Sequence, residues 1–199
     1  NDQILYLGND QGVYVSFDQG QKWHPFANGL TTAAVHDLVI QPEANHLLVG
    51  THGRSIYKAD LAPLQKLNDA FLKPELALLD PQEVKHSKRW GSSYSSWRRV
   101  FEPETTFTAF AKTPAAYEMQ IKDTKGTVLF SQKGMLDAGF NFIIYALEKD
   151  ALGIKNYNKR NKKSPSKSAN NGKHYLEKGT YSVEITKGSL KQKKALHIQ

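Results

Sequence analysis

The sequence predicts an all-β fold, with a partial β-propeller of about one and a half blades followed by an immunoglobulin-like β-sandwich. Three observations carry that reading. An apolar strand pattern recurs after about 42 residues within the first sixty, close to the period of a four-stranded blade. The run Ser16-Phe17-Asp18-Gln19-Gly20-Gln21-Lys22-Trp23 has the composition of a tight hairpin turn. From Thr105 onward, short segments alternate apolar and polar residues between turn signals, the period of half-buried strands.

Residues 1–61 form the predicted propeller part. Ile4-Leu5-Tyr6-Leu7 runs into Gly8-Asn9-Asp10, as Leu47-Leu48-Val49 runs into Gly50-Thr51-His52, and Val13-Tyr14 has its counterpart in Ile56-Tyr57. In the second copy, strands are expected over residues 35–40, 46–51 and 55–60. The first copy begins at Ile4 and lacks its inner strand. Between the copies, Asp18 is suited to accept backbone N–H bonds of its own turn, and Ser16 adds a hydroxyl. Gly20 supplies a left-handed backbone position, and Trp23 is expected to fold back into the apolar space between sheets. None of these tasks is catalytic.

The segments LYLGNDQGVYVSFDQGQKW, NGL, VHDLVIQP and LLVGTHGRSIYKADL together resemble the last part of the large Asp-box (BNR-repeat) propellers. That group includes sortilin-type proteins and exported bacterial glycosyl hydrolase-like repeat proteins. The Ser-x-Asp-x-Gly-x-x-Trp pattern and Thr51-His52-Gly53-Arg54 carry the likeness. Lys22 departs from it, since the box more often has Ser or Thr there. The resemblance implies export and makes Ser16, Asp18, Gly20 and Trp23 structural Asp-box residues. A closed propeller needs at least four blades. The chain therefore reads as a fragment whose first partner is the rest of its own propeller, and open blade edges invite self-association.

Residues 62–101 read as a connector. Leu64, Leu67 and Phe71 have the spacing of a short helix, with Pro63 near its start. Beyond Pro74 the segment interleaves Arg89, Trp90, Tyr94, Trp97, Arg98 and Arg99, a composition that could stack sugars or bases. Sealing the joint between two domains is the simpler role. Residues 102–199 form the predicted sandwich, with strands over 105–111, 117–123, 127–131, 140–147, 179–187 and 194–199, and a hairpin turn at Asp123-Thr124-Lys125-Gly126. The patterns from Asp123 to Val128, Gly139 to Asn141 and Gly179 to Val183 are similar to the immunoglobulin-like domain of the flagellar hook-cap type. They are also similar to the C-terminal sorting domain of exported Bacteroidetes-type proteins.

Composition excludes some chemistry and locates the charge. The 199 residues include no Cys, which rules out disulfides, thiolate catalysis and thiolate metal ligation. No apolar run approaches the roughly 20 residues of a membrane span. Of the net charge of +8, seven charges sit in residues 155–173, which hold seven Lys or Arg and no acid. This basic loop reads as a mobile, solvated insertion. Polyanion binding through it is an alternative, but Tyr157 is its one stacking aromatic and no specific nucleic-acid partner is expected.

His36, His52 and Arg54 form the best candidate ligand-binding set. Arg54 could fork onto a carboxylate and His36 could act as an acid or base. The bland reading is that they brace inter-blade turns, because no nucleophile, base and orienting group stand together. No catalytic residue is assigned. His24, His86 and His174 lack partners at metal-site spacing, so neither a metal nor a cofactor is expected. The functional expectation is a non-catalytic structural or interaction fragment of an exported propeller protein, with a carbohydrate or protein ligand. The alternative is that the intact protein cleaves glycans and this chain supplies part of the cleft.

Overall fold

The computed structural model describes residues 3–26, 33–67, 69–93, 95, 97 and 99–199. Strands dominate, in several small antiparallel sheets, and no sheet closes into a barrel among the described residues. In chain order the first strands are β1 (Leu5–Asn9), β2 (Gly12–Ser16), β3 (His24–Pro25), β4 (Val35–Gln41), β5 (His46–Thr51) and β6 (Ile56–Asp60). A 3-10 turn over Leu64–Lys66, α1 (Asp69–Leu72) and β7 (Leu76–Leu78) follow. Then come β8 (Thr105–Ala111), β9 (Ala115–Lys122), β10 (Val128–Leu136), β11 (Gly139–Tyr145), α2 (Ala151–Arg160), β12 (Gly179–Lys187) and β13 (Leu190–Ile198). No helix among the described residues is long and apolar enough to cross a membrane.

The chain divides into two compact units. The first takes the described residues up to Leu79 with Thr108–Ala115 and Leu136–Phe142. The second takes Asp80–Phe107, Ala116–Met135 and Ile143–Gln199.

In the first unit, β1-β2-β3 and β4-β5-β6 are two three-stranded antiparallel meanders. β1 pairs with β2 from Leu5↔Ser16 to Asn9↔Gly12, so Asp10 and Gln11 close the hairpin. The Asn9 side chain accepts the Gln11 N–H at 2.8 Å and stiffens that turn. Alternation sets what is buried: Val13 and Val15 of β2 and Leu47 and Val49 of β5 point into the core. They meet Phe17, Phe26, Leu61 and Leu64, and also Phe110 and Phe140. The Phe140 ring lies 5.2 Å from Phe110 and 5.5 Å from Phe17, in tilted contacts. Each fully buried phenylalanine contributes about 1.5–3 kcal/mol of transfer free energy. Gly139 has φ of +99°, and a Cβ there would collide with the Pro25 carbonyl oxygen. Only glycine fits that place.

The second unit is built on the sheet ordered β10-β9-β12-β13. β12 pairs with β13 from Gly179↔Ile198 to Lys187↔Leu190, and with β9 from Ser182↔Lys122 to Thr186↔Glu118. Met119, Ile121, Leu129, Val183, Ile185 and Leu196 are buried along these strands. Tyr145 packs with Phe107 at 6.0 Å and Phe130 at 4.8 Å. The turn predicted at Asp123 forms as a local network. Its Oδ1 accepts from Lys125 N at 2.9 Å and Thr127 N at 2.7 Å, while Gly126 has φ of +79°. The open edge of β13 is partly covered, because Val84 N donates to His197 O and Gln199 N to Val84 O, both at 2.9 Å.

Three expectations need revision. The helix expected from the spacing of Leu64, Leu67 and Phe71 is reduced to the 3-10 turn and the four residues of α1. The short strand β7 was not anticipated; all three of its residues are buried, so it shows no alternation. The basic segment 155–173 is not a plain loop, since its start belongs to α2. Asp150 caps that helix, its Oδ1 accepting from Gly153 N at 2.7 Å, and Lys159 and Arg160 complement the dipole in the last turn.

Candidate functional site

The turn after β2 is a closed set of short hydrogen bonds. Ser16 is fully buried at the end of β2, and its Oγ donates to Asp18 Oδ1 at 2.8 Å. The same Oγ accepts from Gly20 N at 2.8 Å and Asp18 N at 3.3 Å. Asp18 Oδ1 also accepts Lys22 N at 2.8 Å. The Lys22 N–H bond is the main reason the Asp18 carboxyl lies below its ordinary range, with the Ser16 hydroxyl helping against partial desolvation. Gly20 takes φ of +90°, as the turn requires. Trp23 differs from expectation. Its ring lies near Gly20, where a Cβ would come 3.6 Å from Cζ2, yet the residue keeps 37% of its surface exposed.

His36 and His52 come together, with stacked rings at a centroid distance of 4.9 Å and 30° between planes. The β4–β5 register shifts between Val35 and Asp37, and His52 N donates to Ala34 O at 2.9 Å, which brings the two rings alongside. Both are exposed, as is Arg54 in the following turn. That turn is closed by Thr51 Oγ1, which donates to Ser55 O at 2.7 Å and accepts Ser55 N at 3.0 Å. Among the described residues, no group of three or more His, Asp or Glu side chains is placed to hold a metal ion.

The aromatic and basic run of the connector separates into different environments. Trp90 is buried, 4.6 Å from the His86 ring and 6.0 Å from Tyr175. Arg89 stands 5.9 Å from the Phe101 ring centroid, whereas Trp97 is 95% exposed. Tyr94 and Arg98 lie outside the described residues.

The second unit holds a buried polar cluster that sequence reasoning missed. Lys149 is 5% exposed, and its Nζ donates to Tyr175 O at 2.7 Å and Ser166 Oγ at 3.1 Å. It lies 4.8 Å from the Tyr157 ring centroid, and His174 Nδ1 is 3.1 Å from Ser166 Oγ. Burial pulls the Lys149 ammonium below its ordinary value, with Glu177 acting against that. A lysine beside a serine is a candidate base for a nucleophile. Here the amine donates to a carbonyl and sits by an aromatic face, contacts that favour ammonium. An ammonium cannot take the serine proton. The cluster therefore acts as a staple between residues distant in sequence.

A second missed feature is a cleft of about 430 Å³ in the first unit. Phe17, Asp18, Lys22 and His24 line one part of it, with Leu72, Lys73 and Lys112 completing the wall. Desolvation lowers the His24 imidazole below its ordinary value, so it is neutral near pH 7. Its ring stands edge-on to Phe110 at 5.4 Å. The cations of this cleft are too far apart in sequence for any motif to reveal them.

No family model and no curated protein matches the chain. A solved structure that it matches is a b-glucosidase from Erythrobacter marinus, at 9% identity and a TM-score of 0.30. The match covers 62% of this chain and 15% of that one. A likeness at that TM-score carries no argument about fold or activity.

Proposed function

We propose that this chain is a non-catalytic structural or interaction part of an exported Asp-box propeller protein, with an immunoglobulin-like sandwich in its second half. The observation that carries the reading is the turn at Asp18, where one carboxylate oxygen gathers the Ser16 hydroxyl and the Lys22 N–H at 2.8 Å each. Further support comes from the two antiparallel meanders, β1-β2-β3 and β4-β5-β6, in which β1 matches β5 and β2 matches β6 at the sequence repeat. The remaining blades of the same propeller are the proposed first partner. Exposed apolar residues on these strands, Leu5 and Leu7 of β1 and Val39 of β4, are consistent with further packing. The four-stranded antiparallel sheet β10-β9-β12-β13 supports the sandwich reading, and that part would serve attachment or secretion.

His52→Ala and Arg54→Ala, introduced separately into the full-length protein, test the reading against a panel of polysaccharides. Turnover in both variants should match the parent, including the case of none at all. A loss of about tenfold or more in either would place these side chains in a glycan-cleaving site and overturn the proposal.

A further inference from the structure

The cleft beside the Asp18 turn gathers charge that the turn itself does not need. Three lysines from separate parts of the chain line it: Lys22 from the turn, Lys73 just past α1 and Lys112 just past β8. Against them stand Asp18 and Glu75, the latter 3.4 Å from Lys112 Nζ. Three cations and two carboxylates leave one positive charge in excess. Asp18 Oδ1 is already engaged by Ser16 and Lys22 N, so that carboxylate belongs to the turn. Like charges gathered around one concavity repel, and a bound anion would relieve that cost.

The remaining wall fixes what else the anion must carry. Phe17 and Leu72 are apolar, and His24 offers a neutral ring. A cleft of about 430 Å³ falls within the size range of small-molecule sites, roughly 300–1,000 Å³. A bare phosphate or sulfate would leave most of it empty and would bring more charge than the single excess cation balances. We propose that this cleft binds a small organic monocarboxylate, with its carboxylate against Lys22 and Lys73 and a ring or hydrocarbon body against Phe17 and Leu72. The site is independent of the His36, His52 and Arg54 set.

Titration calorimetry on the whole chain tests this with phenylacetate and glucuronate, two monocarboxylates with different rings. The controls are 2-phenylethanol, glucose and inorganic phosphate at the same ionic strength. At least one carboxylate should bind about tenfold more tightly than its neutral counterpart and than phosphate. Lys73→Glu changes an exposed side chain, so it should keep the parent's melting temperature while weakening that binding about tenfold or more. The proposal is overturned by no millimolar binding of either carboxylate, by equal binding of the neutral compound or phosphate, or by unchanged affinity in Lys73→Glu.

Discussion

The two units bury polar groups in different ways. Among the described residues, the buried charged side chains, Lys149, Glu184 and Lys187, all belong to the second unit. Two of them have a partner from far along the chain: Lys122 reaches Glu184 at 2.6 Å across 62 positions, and Lys149 reaches Tyr175 O across 26. The first unit instead buries neutral Ser16, Thr108 and Asn141, and Ser16 and Asn141 make bonds within four positions, such as Asp137 N to Asn141 Oδ1 at 2.8 Å. Local bonds of that kind hold a turn whatever the rest of the sheet does. Long-range charged bonds hold one arrangement of strands, and they fail together when a member is removed. The second unit should therefore lose more from a single polar substitution.

Lys149→Ala is the sharpest test and carries the largest expected effect. Removing the ammonium leaves Ser166 Oγ and Tyr175 O short of a donor in a dry place, at about 2–3 kcal/mol, besides the lost packing of its stem. Chemical denaturation should show that loss as a lower midpoint. A change within about 0.5 kcal/mol would mean the staple is replaced by water and the contrast between the units fails.

Glu184→Gln comes next, at about 1–2 kcal/mol. The carboxylate is only 7% exposed and accepts Lys122 and Lys191 at 2.6 and 2.5 Å. Burial alone would raise its pKa, but the hydrogen bonds and charges of Lys122 and Lys191 prevail and hold it below its ordinary value near 4.5. A depressed carboxylate contributes stability above its unfolded pKa and loses it as pH falls through the lower folded one. The stability difference between parent and Glu184→Gln should thus be full at neutral pH and shrink below about pH 4.5. A constant difference down to acid pH would show that charge is not what this bond supplies.

These effects also mark what the sequence could reveal. Strands β8 and β12 span the residues where the sequence pattern puts them, although burial does not alternate along either: Phe107 to Ala111 of β8 are buried without a break. The Asp18 and Asp123 turns were equally legible, since all their bonding partners lie within a few residues. Lys149 and the Lys22, Lys73 and Lys112 cleft were not, as each is assembled from distant segments by tertiary structure. Helix α2 was obscured for a different reason. Its cap, Asp150, precedes the basic run that drew attention, and Gly153 reads as a breaker. The structure shows why glycine is needed there: a Cβ on Gly153 would overlap the Leu129 backbone carbonyl.

In the first unit, Ser16→Ala should cost about 1–2 kcal/mol, less than Lys149→Ala, since it frees Gly20 N and one bond of Asp18 in a partly solvated turn. A larger loss than at Lys149 would reverse the ordering of the two units. Ser16→Thr keeps the hydroxyl and separates hydrogen bonding from packing: recovery of the midpoint would assign the loss to the lost bonds.

The smallest effect has the opposite sign. Tyr6 has a buried hydroxyl with no hydrogen-bond partner among the described residues, and its ring packs edge-on to Phe26 at 6.2 Å. Tyr6→Phe keeps the ring and removes the orphan, so the chain should gain up to about 1 kcal/mol at neutral pH. Burial also raises the Tyr6 phenol to about 12, and Tyr181 in the second unit to about 12 as well. A raised phenol favours the folded state below its unfolded pKa of 10.0, and that contribution is lost as pH climbs through the folded value. Stability of the parent should therefore fall between about pH 10 and 12, with tyrosinate absorbance appearing as the chain unfolds. Tyr6→Phe removes one of those ionisations, so its advantage should widen across the same interval. An advantage that stays flat with pH would mean Tyr6 ionises as freely in the folded chain as in the unfolded one, and the first unit would then be as wet at this point as its exposed strands.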